Sequence, residues 1–200
     1  LELDRLAATT PAQARALLET EGFFNAGVSL ERPSPDRVIV RVQPGPRSTI
    51  KSLDLSFSGE LQADEALQQG LRRDWALPVG GLFRQSAWSS AQTAALGRAR
   101  ANGYPRARWG HTTAAVNAET NEAELQLQLD SGPLFRLGAL QIEGLKYYAP
   151  STIERLAGFA PGEPYSERLL QDFQERLQKT LLFDSVNVEI QPEAGEYRAT

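Results

Sequence analysis

Val38-Ile39-Val40-Arg41-Val42-Gln43-Pro44-Gly45-Pro46-Arg47-Ser48-Thr49-Ile50-Lys51-Ser52-Leu53-Asp54-Leu55 decides the fold, because the chain writes this stretch twice. Val38, Val40, Val42, Gly45, Pro46, Ile50, Leu53 and Leu55 return, each 87 residues later, as Leu125, Leu127, Leu129, Gly132, Pro133, Leu137, Leu140 and Ile142. Each copy alternates apolar and polar residues at period two, the mark of a half-buried strand. Each then reaches a Gly-Pro, which removes an N–H and ends the ladder, and opens a second strand. A repeat of this length means tandem small units rather than one large core.

A second signature recurs after each amphipathic helix, at Phe23–Val28, Tyr104–Trp109 and Phe183–Val188. Together the two signatures divide the chain into residues 1–45, the C-terminal part of a first unit, 46–132, a complete second, and 133–200, a third whose last strand is cut short. The chain reads as a piece of a longer polypeptide. In the complete unit a strand at Thr49–Phe57 precedes a helix capped by Asp64 and running to Arg73. Pro78-Val79-Gly80-Gly81 breaks it. A helix over residues 86–102 follows, lined by Trp88, Ala91, Ala95, Leu96 and Ala99 and stopped by Gly103. Strands at 106–116 and 123–130, joined by a turn at Asn117–Asn121, complete the order βααββ.

The third unit repeats that order. Leu140 and Ile142 open it, Ser151-x-x-Glu154 reads as a capping box, and Ser166 caps a helix whose Leu169, Leu170, Phe173 and Leu177 share one face. Val186, Val188 and Ile190 alternate as a strand, and the last strand is expected near Tyr197. In the first unit Thr10, Pro11 and Gln13 read as N-cap, N1 and capping box, with two strands joined by Pro33-Ser34-Pro35-Asp36. One apolar sheet face and two one-faced helices per unit make a two-layer α+β sandwich.

Composition narrows the function. The sequence has 41% hydrophobic and 23% charged residues, ordinary for a globular protein, and a net charge of −4 argues against nucleic acid. No apolar run approaches the roughly 20 residues of a membrane span. With no cysteine there is neither a disulfide nor a thiolate metal site, and with one histidine, His111, there is no dyad to build. Asp4, Asp64 and Glu65 sit where carboxylates favour helix starts, and Gly80-Gly81 lacks the Lys-Ser/Thr of a phosphate loop. Trp88 and Trp109 fall on inward positions, Trp75 lies at a helix end, and Tyr147-Tyr148 is either an exposed patch or loop packing. The chain reads as a non-enzyme with no cofactor, no metal and no catalytic residue.

The order βααββ, with Asn102-Gly103-Tyr104, Gly144 closing a first strand, Val42–Pro46, Ser131–Gly138 and Leu181–Val186, resembles the polypeptide-transport-associated (POTRA) domain. Whole segments are similar to the periplasmic arm of the TamA family, outer-membrane subunits of the translocation and assembly module in the BamA superfamily. The resemblance implies tandem POTRA-like units, each with two helices on a small three-stranded mixed sheet. It implies a periplasmic arm of an outer-membrane protein in a Gram-negative bacterium, serving autotransporter and outer-membrane protein assembly. Implied partners are a TamB-like inner-membrane protein or nascent outer-membrane polypeptides, beside a C-terminal β-barrel absent from these residues. A BamA or two-partner-secretion arm is the alternative; an enzyme or an FtsQ-like division scaffold is remote. The third unit departs from the pattern, because Leu182-Phe183 replaces Gly-aromatic and its helix must end without glycine.

The resemblance also implies that the middle strand of each unit lies at a sheet edge and takes a partner strand by main-chain pairing. Carried over, these edges are 26–31, 106–115 and 185–191, with Ala26, Val28, Arg106, Arg108, Gly110, Thr112, Val186 and Val188 as the partner-binding residues.

Overall fold

The computed structural model describes residues 2–34, 37–193 and 196–199. The described chain is α+β, with five α-helices and three small sheets. Helix α1 (Glu2–Thr20) is followed by β1 (Gly27–Ser34) and β2 (Arg37–Gln43), then β3 (Thr49–Ser58), α2 (Glu65–Arg73), α3 (Gln85–Ala101), β4 (Arg108–Asn117) and β5 (Glu122–Asp130). Strand β6 (Arg136–Leu137), α4 (Pro150–Ala157), α5 (Glu167–Lys179), β7 (Ile190–Glu193) and β8 (Glu196–Ala199) complete it. The sheet orders are β1-β2, β3-β5-β4 and β6-β8-β7. The last is mixed: β6 pairs parallel with β8, and β7 antiparallel. By contact the chain forms two compact units, one of Leu1–Ser56, Asp74–Ala94 and Gly110–Gln128, the other of Phe57–Arg73, Ala95–Trp109 and Leu129–Thr200. Each holds one of the two Gly-Pro turns.

In the first compact unit, α1 ends at Gly22, whose φ of 92° suits only a residue without Cβ. The Phe23 N–H reaches back to the Leu18 carbonyl at 2.9 Å, closing the helix end as a Schellman turn. Strands β1 and β2 form an antiparallel hairpin in register Gly27↔Gln43 and Leu30↔Val40, and Arg41 pairs with Glu31 across it. Burial of Ile50, Leu55 and, on β5, of Ala123, Leu125 and Leu127 follows the period-two pattern. Strand β3 changes face once: Ile50 is buried, Lys51 and Ser52 are exposed, and inward positions resume at Leu53. Trp75 and Trp88, both buried, meet edge to face at 6.1 Å.

In the second compact unit, Asp64 caps α2, its Oδ1 accepting the Leu67 N–H at 2.9 Å. Helix α5 buries Leu170, Phe173 and Leu177, and Phe173 meets Phe159 edge to face at 5.5 Å. Arg176 crosses to the end of α4 and donates to the carbonyls of Leu156 and Ala157, two of the groups a helix end leaves open.

Five expectations need correction. Helix α1 starts at Glu2 and carries Pro11 inside it; the run Leu3 to Ala8 consists mostly of strong helix formers, which carry the helix through one proline. Helix α4 opens on Pro150 with Ala149 as N-cap, so Ser151 lies within the first turn and forms no capping box; proline at N1 supplies the preset φ instead. Ser166 is the N-cap of α5 as expected, but without a side-chain cap bond. Residues 138–142 and 185–189 form no described ladder. Ala26 precedes β1, and Arg106 lies in the turn before β4. Pro35 and Asp36 of the expected hairpin turn lie outside the described residues.

Candidate partner-binding edge and joints

In the three-stranded β3-β5-β4 sheet, the open main-chain edge belongs to β4. It borders β5 on one side and no described strand on the other. Strand β3 is the opposite edge, but its start is occupied: the Ile50 N–H donates to the Gly81 carbonyl at 2.8 Å, the Gly80 N–H donates to Ile50 at 2.7 Å, and Thr49 bridges Leu82. Residues 110–117 of β4 read Gly-His-Thr-Thr-Ala-Ala-Val-Asn, with no Asp, Glu, Lys or Arg to repel an incoming strand. Thr112 is half-buried and Gly110 exposed. His111 is exposed and shares a 2.8 Å hydrogen bond with the Thr113 hydroxyl, which fits a surface role.

The base of that edge is pinned. Arg108 donates to Asp130 Oδ2 at 3.1 Å, while Asp130 Oδ1 accepts the Gly132 N–H at 3.1 Å. The Gly132 amide first, and the Arg108 guanidinium second, hold the Asp130 carboxyl below its ordinary range. Arg106 places its guanidinium over the Phe135 ring at 5.2 Å, so it serves the turn rather than the edge.

The other expected residues fall elsewhere. Val28 is buried on β1, and its carbonyl receives the Arg15 guanidinium at 3.0 Å. Val186 and Val188 pack against the apolar clusters around Phe173 and Phe135. Tyr147 is exposed, and Tyr148 meets Phe183 edge to face at 6.0 Å.

Sequence reasoning missed how each Gly-Pro turn is fastened. At the first, the Ser48 N–H donates to the Gly22 carbonyl at 2.8 Å and the Ser48 carbonyl accepts the Phe83 N–H at 2.9 Å. At the second, the Phe135 N–H donates to Gly103 at 2.8 Å and the Phe135 carbonyl accepts the Tyr165 N–H at 2.8 Å. Leu137 then bonds with Glu163 and Gly162 as Ile50 does with Gly81 and Gly80. The two joints match bond for bond, although their side chains differ. Gly45 and Gly132 sit at φ 67° and 62°. The second joint adds Ser131, fully buried, whose Oγ accepts the Leu61 N–H at 3.0 Å, and Glu60, which accepts the Leu134 N–H at 2.9 Å.

Among the described residues no group of three His, Cys, Asp or Glu is placed to hold a metal, and no helix is long and apolar enough to cross a membrane.

Comparison with known proteins agrees with this geometry. Residues 135–199 match the family model described as "POTRA: Surface antigen variable number repeat". No curated protein sequence matches the chain. Among solved structures, POTRA3-5 of Haemophilus influenzae BamA aligns at 20% identity and a TM-score of 0.55, over 96% of this chain and 77% of that one. BamA from Haemophilus ducreyi lacking POTRA domains 1-3 aligns at 19% identity and 0.58, over 76% of this chain but only 28% of its own length. POTRA1-2 of Omp85 from Anabaena aligns at 17% identity and 0.50, over 77% and 94%. The fold of this chain is the POTRA fold, and its residues 135–199 match the POTRA family itself.

Proposed function

We propose that this chain is part of a periplasmic arm of an outer-membrane protein assembly or secretion machine. It acts as a non-catalytic scaffold that takes partner polypeptide by strand addition on β4. The observation that carries this reading is the open, uncharged edge of β4 beside the partly occupied edge of β3. The likeness to the BamA and Omp85 arms supports the setting. We read the arm as three tandem units bounded at Gly45-Pro46 and Gly132-Pro133, since the described sheets stop at Gln43 and Asp130 and restart at Thr49 and Arg136. The segment resemblances favour a TamA-type arm, with a TamB-like inner-membrane protein or nascent autotransporter and outer-membrane chains as partners. A BamA-type or two-partner-secretion arm is the competing assignment.

Adjacent residues of a strand point their N–H groups to opposite sides. Of Thr112 and Thr113, one therefore donates toward β5 and the other toward the open edge. Thr112→Pro and Thr113→Pro should separate: one variant loses stability, the other keeps its fold and loses crosslinking to a partner strand at β4. Alanine at either position should change partner capture less than twofold. Alanine effects as large as the proline effects would refute main-chain recognition on this edge.

A further inference from the structure

The aromatic residue that follows each helix of the repeat is phenylalanine at positions 23 and 183 but tyrosine at 104. A ring alone would fill the space, so the added hydroxyl of Tyr104 asks for a use. The residue is 2% exposed and lines a cavity of about 770 Å³. Its main chain is bonded: the N–H donates to the Ala99 carbonyl at 3.2 Å, and its carbonyl accepts the Ala107 N–H at 2.8 Å. Among the described residues its hydroxyl has no hydrogen-bond partner. Folded chains rarely leave a buried polar group so.

The cavity lies inside the second compact unit, at the start of α2. Glu60, Asp64 and Glu65 line it, and no lysine or arginine does. None of these three carboxylates has an ion-pair partner among the described residues. Main-chain donors fix two of them: Glu60 Oε2 accepts the Leu134 N–H, and Asp64 Oδ1 accepts the Leu67 N–H, both at 2.9 Å. One oxygen of each remains open. The loop that carries them is itself tied, the Glu60 N–H donating to the Gly132 carbonyl at 3.1 Å and the Asp64 N–H to the Leu61 carbonyl at 3.0 Å. Burial first, then the charges of Asp64 and Glu60, push the Tyr104 phenol above its ordinary range. It therefore stays an uncharged O–H within electrostatic reach of both carboxylates. The N-terminus of α2 sets about half a positive charge at the same place, and three carboxylates outweigh it.

Such a site takes a cation. Among the described residues the carboxylates are not placed to converge on one metal ion, which favours a cation that spreads its charge. A guanidinium does so: it is planar, with five N–H donors in a fork and no acceptor. Ala63, Ala66 and Leu134 give the cavity apolar wall for an alkyl stem. We infer that this cavity receives an arginine side chain of a partner polypeptide, with the Tyr104 hydroxyl and the open oxygens of Glu60 and Asp64 as acceptors. The inference rests on the reading that partners of this chain are polypeptides, and it adds a side-chain pocket to the main-chain edge at β4.

The test titrates the chain with Nα-acetyl-arginine N-methylamide and follows the amide and Tyr104 ring signals by NMR. Saturable shifts should appear at residues 59–66, 104 and 134 and leave 110–117 unmoved. The citrulline analogue, equal in shape but uncharged, should produce none, and neither should magnesium chloride. The lysine analogue should bind roughly threefold more weakly or worse. Tyr104→Phe should weaken arginine binding roughly three- to tenfold without lowering the melting temperature, since the free chain loses no bond. Glu60→Gln combined with Asp64→Asn keeps both main-chain acceptors and should weaken binding roughly tenfold or more. No saturable shift at residues 59–66, or equal binding of arginine by either variant, would overturn the inference. So would equal binding of citrulline, of lysine or of magnesium at the same amides. A lower melting temperature for Tyr104→Phe would overturn it too, by showing that the hydroxyl already serves the fold. The probe is too short to pair as a strand, so its failure leaves the β4 reading intact, and failure of strand capture at β4 leaves this titration unchanged.

Discussion

Leu181 ends helix α5 at φ 54°, in the left-handed region that an L side chain adopts with strain. The corresponding helix ends use Gly22 and Gly103, at φ 92° and 98°. The left-handed conformation costs a residue with a Cβ roughly 1–2 kcal/mol. Leu181 is 89% exposed, so its side chain returns almost no burial energy. Glycine would remove the strain but bring more freedom to the unfolded chain, a loss of roughly 0.5–1 kcal/mol. Leu181→Gly should therefore stabilise residues 167–181 by about 0.5–1 kcal/mol.

Tryptophan fluorescence does not report on this region, because Trp75, Trp88 and Trp109 all precede Gly132. Native-state exchange of the α5 amides does. The gain should appear there as exchange slowed roughly two- to fivefold, since a tenfold change corresponds to about 1.4 kcal/mol. Leu181→Ala is the control: it keeps the Cβ and the strain, and should leave exchange nearly unchanged. If alanine stabilises as much as glycine, or glycine speeds exchange, strain at this helix end is not what limits it.

Other substitutions test the joints and the core. A Cβ at Gly22 would stand 2.2 Å from the Phe83 carbonyl oxygen, a backbone atom, whereas one at Gly103 would meet the flexible Leu134 Cδ1 at 2.5 Å; Gly22→Ala should be the more damaging by about 1 kcal/mol or more in urea unfolding. Phe173→Ala should cost about 3–5 kcal/mol, since Phe173 is 2% exposed and packs on Phe159; a loss under about 1 kcal/mol would mean that its site collapses around the gap. Because the Asp130 carboxyl is held below its ordinary range, its contribution is complete above that range and lost as pH falls through the depressed value. Asp130→Asn should erase that acid-side loss in a pH series of thermal unfolding, and an unchanged acid limb would refute the assignment.

Much of this fold was legible because it rests on local pattern. Alternation marked β3 and β5, Gly103 marked the end of α3, and the alanine-rich stripe with Trp88 marked its buried face. What the sequence hid depends on distant partners. Residues 185–189 carry a strand's alternation, but a ladder needs a neighbour, and none is described for them. Pro11 reads as a helix start because the rule for N1 proline is local, while the helix runs on through it. The edge position of β4 came from the resemblance; nothing in Arg108–Asn117 itself distinguishes an edge from a centre. Arg106, Val186 and Val188 are edge residues only through the resemblance, and which way their side chains pack, on a turn and on a core, depends on partners distant in sequence.

The joints show why the repeat survives such divergent residues. Ser48 and Phe135 occupy the same place in the two copies, as do Phe83 and Tyr165, and Gly81 and Glu163. No side-chain chemistry is shared by Ser and Phe, or by Gly and Glu. The bonds they make are main-chain to main-chain, at 2.8–2.9 Å in both copies, so the identity of the side chain is nearly free. What is constrained is backbone conformation: positive φ at Gly22 and Gly103 to end the helix, and at Gly45 and Gly132 to turn into the next strand. Glycine and proline are therefore the residues that the period preserves, and the apolar alternation comes next, because burial fixes which face each strand presents.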